Sequence, residues 1–286
     1  MMNAGQDAPV PVGAALGEPG SAVEAPAPAA GKMSGPDFWR KLGAPQHIVA
    51  PMVDQSELAF RMMCRKYGAE LAVTPMIHSR LYVSDRNYRR EIFSTCPEDR
   101  PLVVQFCGND PQTVLKAACM IQDQCDAVDL NLGCPQNIAR RGNYGAFLAQ
   151  DVPLVCEIVR TLADSPDLRV PITCKIRLRD TYEETLAYAL ALQDAGCKLL
   201  SVHARSRQQD RRGVADWEAI RRIKQVLSIP VVANGNIRSL ADVRRCLHVT
   251  GACLGTRHGI VCAPRVFLAH AAAATLWDFP DCPAIS

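Results

Sequence analysis

Several things this sequence lacks narrow the reading first. Its 286 residues hold no uninterrupted apolar run near the roughly 18 residues of a spanning helix, so no membrane span is expected. Charge of one sign is missing too. The 32 basic and 29 acidic residues leave a formal +3, which is no footprint of nucleic-acid binding, so any RNA or DNA site must be local. None of the 13 cysteines stands in C-x-x-C spacing, and Cys246, Cys253 and Cys262 lack the paired spacing of a zinc site. The odd count and the absence of a signal peptide argue against a disulfide framework. Most cysteines sit singly in apolar stretches, where a thiol acts as a small hydrophobe. The expectation is a reducing, cytoplasmic or also nuclear setting, with no metal. At 48% hydrophobic and 21% charged residues, wholesale disorder, collagen and coiled coil are excluded.

The first 32 residues, rich in Ala, Pro and Gly, offer no periodic apolar face to offset their ordering entropy. They contain no Arg and include Asp7, Glu18 and Glu24, which suits a disordered tail better than a transit peptide. A tail over 1–35 is expected, with order beginning near Pro36 to Trp39. From His47 short apolar runs recur: HIVAPM, LAVTPM, LVVQFC, AVDLNLG, VPITCKIR, LLSVHAR, IPVVANG and a weaker ACLG. Helical patterns fill most gaps, from Ser56 (a plausible cap) to Tyr67, Pro111 to Gln122, Pro153 to Leu162, Tyr182 to Ala195, Asp216 to Leu227 and Leu240 to Leu247. The stretch His78 to Arg100 is the least clearly helical. Eight strands alternating with helices imply a parallel sheet, covered on both faces. No G-x-G-x-x-G follows HIVAPM, which argues against a doubly wound sheet. A TIM (β/α)8 barrel needs about 250 residues and is the fold expected over 36–286.

In such a barrel, chemistry gathers at the C-terminal ends of the strands. Polar residues stand there on nearly every run: Asp54, Gln105, Asn131, Cys134, Lys175, Arg177, His203, Arg205, Asn234 and Asn236. A lone His203 or Gln105 has a bland reading as a satisfied interior residue. Lys175 within an apolar run is harder to explain structurally, because an unpartnered buried ammonium is costly. Together they suit an anionic, planar, heteroaromatic cofactor, with its phosphate at the late loops ANGNIRS and GTRHGIVCAP. Flavin mononucleotide (FMN) fits this set, and pyridoxal phosphate is the alternative. The sharpest motif is DLNLGCPQNIARRGNYGAFL at 129–148, in which Cys134 lies between Gly133 and Pro135 at a strand end. A buried structural cysteine rarely needs such neighbours, so Cys134 is the cysteine expected to do chemistry.

These motifs resemble those of the tRNA-dihydrouridine synthases. The match is carried by APMVD at 50–54, LNLGCPQ at 130–136, GNYGAFL at 142–148, TCKIR at 173–177, VHARSR at 202–207 and ANGNI at 233–237. The stretch CPEDRPLVVQFCGNDP at 96–111 is similar to the eukaryotic subgroup acting on D-loop positions 16 and 17. The resemblance implies an FMN-linked oxidoreductase using NADPH or NADH, with tRNA as partner, acting as a monomer. It implies hydride delivery from reduced FMN to C6 of a flipped-out uridine, and protonation of C5 by Cys134. An ordinary thiol is mostly protonated at neutral pH yet can release its proton, as a general acid must. For FMN the resemblance implies backbone contacts from Pro51, Met52 and Val53, and ring contacts from Gln105 and Lys175. His203 would lie near flavin and base, and Asn234, Gly235 and Asn236 near the phosphate. Asn131 would orient the uracil edge, with Arg177 and Arg205 as uridine or phosphate contacts.

Two departures from the family pattern stand out. The eighth strand reads TGACLGTRHG, with Arg257, His258 and Gly259 where the phosphate cup is expected. A C-terminal helical domain that grips tRNA in the family is not expected in the residues after the cup. An inactive or RNA-binding-only short form is therefore one alternative, and a free-pyrimidine flavin oxidoreductase resembling dihydroorotate dehydrogenase is another.

Overall fold

A computed structural model describes residues 33–209 and 212–251, together with the backbone of 259–262. Nine strands form one parallel sheet: β1 (His47–Val49), β2 (Leu71–Val73), β3 (Ile77–His78), β4 (Leu102–Cys107), β5 (Ala127–Leu132), β6 (Ile172–Leu178), β7 (Leu200–Ser206), β8 (Val231–Asn234) and β9 (Gly259–Cys262). Pairing runs from β1 to β2, from β2 to β4, and then strand by strand to β9, which pairs with β1. The two-residue β3 lies on β4 alone. The result is a TIM-like parallel sheet with flanking helices.

Helices occupy the expected gaps within a few residues, at Leu58–Lys66, Pro111–Ile121, Val152–Asp164, Tyr182–Asp194, Trp217–Val226 and Leu240–Thr250. Their starts are chemically marked. Asp110, Asp151, Asp216 and Ser239 cap with their side chains, and Thr181 with Glu184 forms a capping box. Among the described residues no helix is long and apolar enough to cross a membrane.

Some expectations need correction. Ser56 is not a cap: its hydroxyl accepts from the Met52 N–H at 3.0 Å and donates back to the Met52 carbonyl, folding the loop after β1 on itself. The stretch after β3 holds two short helices, Ser79–Ser84 and Arg86–Ile92, the second capped by Asp85. Order begins before Pro36, since Ser34 caps a helix at Gly35–Lys41 and Gly35 is buried. The rest of the expected tail, 1–32, lies outside the described residues. A strand at Gly259–Cys262 pairs with β8 and β1; the expected run ACLG lies outside the described residues.

Residues of β4 and β5 are buried at every position, so alternation sorts them by neighbour and not by exposure. Val104, Leu130, Ile176 and Val202 belong to the large core that includes the helices. Val103, Ala127, Leu199 and Val232 belong to a second core, packed with Ile48 and Leu71 against Phe38, Trp39 and Leu42. The helix at Gly35–Lys41 thus supplies apolar side chains to the N-terminal end of the sheet's inner face.

Candidate active site

Two residues further along the inner face, the side chains become polar. Register pairs Gln105 with Asp129, Asp129 with Thr173, Asn131 with Lys175, Arg177 with His203, and His203 with Asn234. Neighbouring strands thus pair these residues across up to 44 positions of the chain (129 to 173). Asp129, Thr173, Lys175 and Ser201 line one side of a small cavity whose other side is the apolar layer of Phe38, Val103 and Val232.

These polar groups are tied to one another. Asp129 accepts from Thr173 Oγ1 at 2.6 Å and from Gln105 Nε2 at 2.7 Å. The Gln105 Oε1 accepts from Asn131 Nδ2 at 2.7 Å. The Asn131 Oδ1 accepts the backbone N–H groups of Gly133 and Cys134, at 3.1 and 2.9 Å. Both Asn131 Oδ1 lone pairs are thereby used, and one amide hydrogen of its two remains for another acceptor. Burial raises the Asp129 carboxyl to about 6, and the Thr173 and Gln105 hydrogen bonds and the Lys175 charge oppose that rise.

Cys134 begins the loop beyond β5. Arg177 Nε donates to the Gly133 carbonyl at 2.8 Å, and the Cys134 carbonyl accepts from the Ala146 N–H at 3.0 Å. Gly145 passes close beside it with φ of +62°, and a Cβ there would sit 2.8 Å from the Cys134 oxygen. That close approach, in a left-handed conformation, is why glycine stands there. The Cys134 side chain packs at the edge of a small cluster of Cys107, Ala139 and Tyr144. The two neighbouring cysteines differ in kind. Cys107 is buried and its thiol is pushed up to about 12 by burial, an inert state, whereas Cys134 is half-buried at the strand end.

On the other side of the rim, His203 contacts Arg205 across 3.2 Å and hydrogen-bonds with Asn234. Burial, followed by the charges of Lys175, Arg177 and Arg205, holds its imidazole down to about 2, so it is neutral. Arg205 is buried and donates to the Gly213 carbonyl and to Asn236 Oδ1, which also accepts the Ala215 N–H at 3.1 Å. Gly235 has φ of +120°, and its carbonyl accepts from Trp217 Nε1 at 2.9 Å. The loop ANGN is thus fixed by its neighbours.

Of the expected site residues, Gln105, Asn131, Cys134, Lys175, Arg177, His203, Arg205, Asn234, Gly235 and Asn236 gather at this rim. Pro51, Met52 and Val53 lie on the loop after β1, with the Met52 amide engaged by Ser56 and Val53 exposed. Arg257 and His258 lie outside the described residues. Gly259 does not join the site: it pairs with Val231, the first residue of β8, while the rim residue Asn234 pairs with Cys262. The register places Gly259 at the opposite end of the sheet. Asp129 and Thr173 were missed in the sequence, although a period of two puts 129, 131 and 133 on one face.

Polar side chains converge on the C-terminal strand ends of a TIM-like sheet, beside a thiol on a tight loop, the place where sites of such folds are built. The family model for dihydrouridine synthase (Dus) matches residues 48–266, and the chain belongs to that family. It is 52% identical over 225 residues to a Rattus norvegicus protein described as tRNA-dihydrouridine(16/17) synthase (NAD(P)(+))-like, a match spanning 77% of this chain and 51% of the relative. Identity to the Schizosaccharomyces pombe tRNA-dihydrouridine(16/17) synthase is 46%, over 83% of this chain and 61% of that one. A Mus musculus 20a/20b synthase-like protein is 34% identical over 82% and 73%, so the chain stands close to the 16/17 subgroup. The chain spans about half the length of the 16/17 relatives it matches. Among solved structures, a 2-naphthoyl-CoA reductase complex aligns with a TM-score of 0.57 over 80% of this chain and 50% of that one. At 12% identity this likeness shows the fold alone.

Proposed function

We propose that this chain is the catalytic part of an FMN-dependent tRNA-dihydrouridine synthase, built on a closed (β/α)8 barrel. The reaction is reduction of the C5–C6 bond of a D-loop uridine to 5,6-dihydrouridine, with NADPH or NADH as electron source. The observation that carries this reading is the placement of Cys134. Its loop is held by Asn131 at 2.9 Å, on a strand directly paired with the one bearing Lys175.

The donor set suits FMN. Lys175 and Gln105 would hold the flavin ring, Pro51 and its neighbours would meet it from the loop after β1, His203 would lie near flavin and base, and Asn234, Gly235 and Asn236 would receive the phosphate. Lys175, Arg177 and Arg205 stand close enough to His203 to hold it neutral, and a cluster of cations favours an anion at this rim. FMN held at this rim would supply hydride chemistry toward C6 of the base. Cys134 holds the proton destined for C5. Asn131 has one amide hydrogen left, matched to a pyrimidine carbonyl. Arg177 already holds the Gly133 carbonyl, and Arg205 holds Gly213 and Asn236, so both act first by fixing loops around the substrate. The uridine must leave its stack to reach them, at a cost of a few kcal/mol.

Mass mapping of dihydrouridine in unmodified tRNA incubated with the protein, FMN and NADPH tests this reading. Dihydrouridine at a D-loop position is the expected result. Turnover of free pyrimidines with none on tRNA would instead point to a dihydroorotate-dehydrogenase-like activity.

A further inference from the structure

We propose that Asp129 is a positioning residue that sets the orientation of two amide side chains and, through them, the backbone of the Cys134 loop; this rests on reading Cys134 as the proton donor. The chain of contacts is continuous from Asp129 through Gln105 and Asn131 to the Gly133 and Cys134 N–H groups, each at 2.7–3.1 Å. Its order follows from hydrogen-bond parity. An ionised carboxylate only accepts, so Gln105 must offer Nε2 to it. Gln105 then presents Oε1 to Asn131, which must donate through Nδ2. That leaves Asn131 Oδ1 for the two backbone donors. Turned the other way, Gln105 would set its oxygen against the carboxylate, and Asn131 would set its amide against two N–H groups.

The start of this chain of contacts is shielded from water that might substitute for a lost partner, while Asn131 is 9% exposed. Gln105 and Thr173 are 1% exposed and Asp129 is 4% exposed. An unpaired group here bears its full desolvation penalty, so a flip at one end disturbs the other. Thr173 and Lys175 keep the buried carboxyl charged at neutral pH despite its raised value. The sequence surrounding Cys134 thus carries its orientation signal five residues upstream, at a position that touches neither thiol nor loop.

Amide hydrogen exchange in the full chain without FMN, at a pH above the Asp129 pKa, tests this. Asp129→Ala should speed exchange of the Gly133 and Cys134 amides at least tenfold, with the Trp217–Val226 helix unchanged. Asp129→Asn should stay within threefold of wild type. Its carbonyl can face Gln105 while its amide faces Thr173, whose hydroxyl turns to accept and donates to the Val128 carbonyl already 3.5 Å away. If Asp129→Ala does not fold, Gln105→Met, which cuts the chain at its centre, should give the same tenfold rise. Unchanged exchange in the cut variants, or Asp129→Asn as fast as Asp129→Ala, overturns the proposal. The readout needs neither FMN nor tRNA, so its failure leaves the proposed activity standing, and a failed activity assay leaves this test readable.

Discussion

The inner face of the sheet has two halves built on the same strands. Near the strand starts, Ile48, Leu71, Val103, Ala127, Leu199 and Val232 pack against Phe38 and Trp39, both 1% exposed. Further on, β4, β5 and β7 carry Gln105, Asp129, Asn131 and His203, and β6 adds Thr173 and Lys175. Backbone and pairing hardly change between the halves, yet what holds them does. The apolar half is stabilised by area removed from water and needs no particular orientation. The polar half is stable only while each donor meets an acceptor, and that requirement fixes geometry. Catalytic precision is gained where burial by itself stabilises least.

Breaking the apolar half should have the largest effect on stability. Trp39→Ala is expected to lose about 3–5 kcal/mol in chemical denaturation. FMN affinity of the folded protein, followed by fluorescence titration, should change less than about threefold, because the rim is untouched.

The polar half should show itself in acid. The His203 imidazole is held at about 2 against an ordinary 6.5, so between these values the unfolded chain binds the extra proton. Stability from this group is complete above pH 6.5 and falls as the pH drops below it. The slope is about 1.4 kcal/mol per pH unit, or roughly 2 kcal/mol by pH 5. Denaturation of His203→Asn without FMN should show a flatter acid limb than wild type. Equal slopes would mean that His203 is not held neutral.

A smaller effect is expected from Gly145→Ala, which asks a left-handed residue to carry a Cβ against the Cys134 carbonyl. The backbone strain is about 1–2 kcal/mol. Its sharper signature is local: modification of the Cys134 thiol by iodoacetamide should change rate while Cys107 remains unreactive.

Much of the molecule was legible before the structure. Seven of the strand runs stood out because strands covered on both faces are continuously apolar, and the polar residues at their ends interrupt that pattern. The LNLGCP motif pointed to Cys134 through its flanking Gly133 and Pro135. Other features were hidden for physical reasons. Ser56 carries the residue type of a cap, but tertiary contact with Met52 claimed its hydroxyl. The strand at Gly259–Cys262 was not picked out, because one of its neighbours, β1, lies more than 200 residues away in sequence and the pairing that closes on it leaves no local mark. Asp129 was overlooked because one acidic residue in an apolar run does not announce its partners. Only the pairing of β4, β5 and β6 brings Gln105 and Thr173 to it.

The account turns on Cys134, and one measurement meets it directly. Wild type and Cys134→Ala, each loaded with FMN and checked for equal flavin absorbance, are incubated with NADPH and unmodified tRNA. Dihydrouridine is then quantified by mass spectrometry. Loss of a general acid is worth about 100-fold or more in rate. The expected result is an equally yellow variant with dihydrouridine formation reduced at least that far. A Cys134→Ala protein that forms dihydrouridine at the wild-type rate would contradict the account.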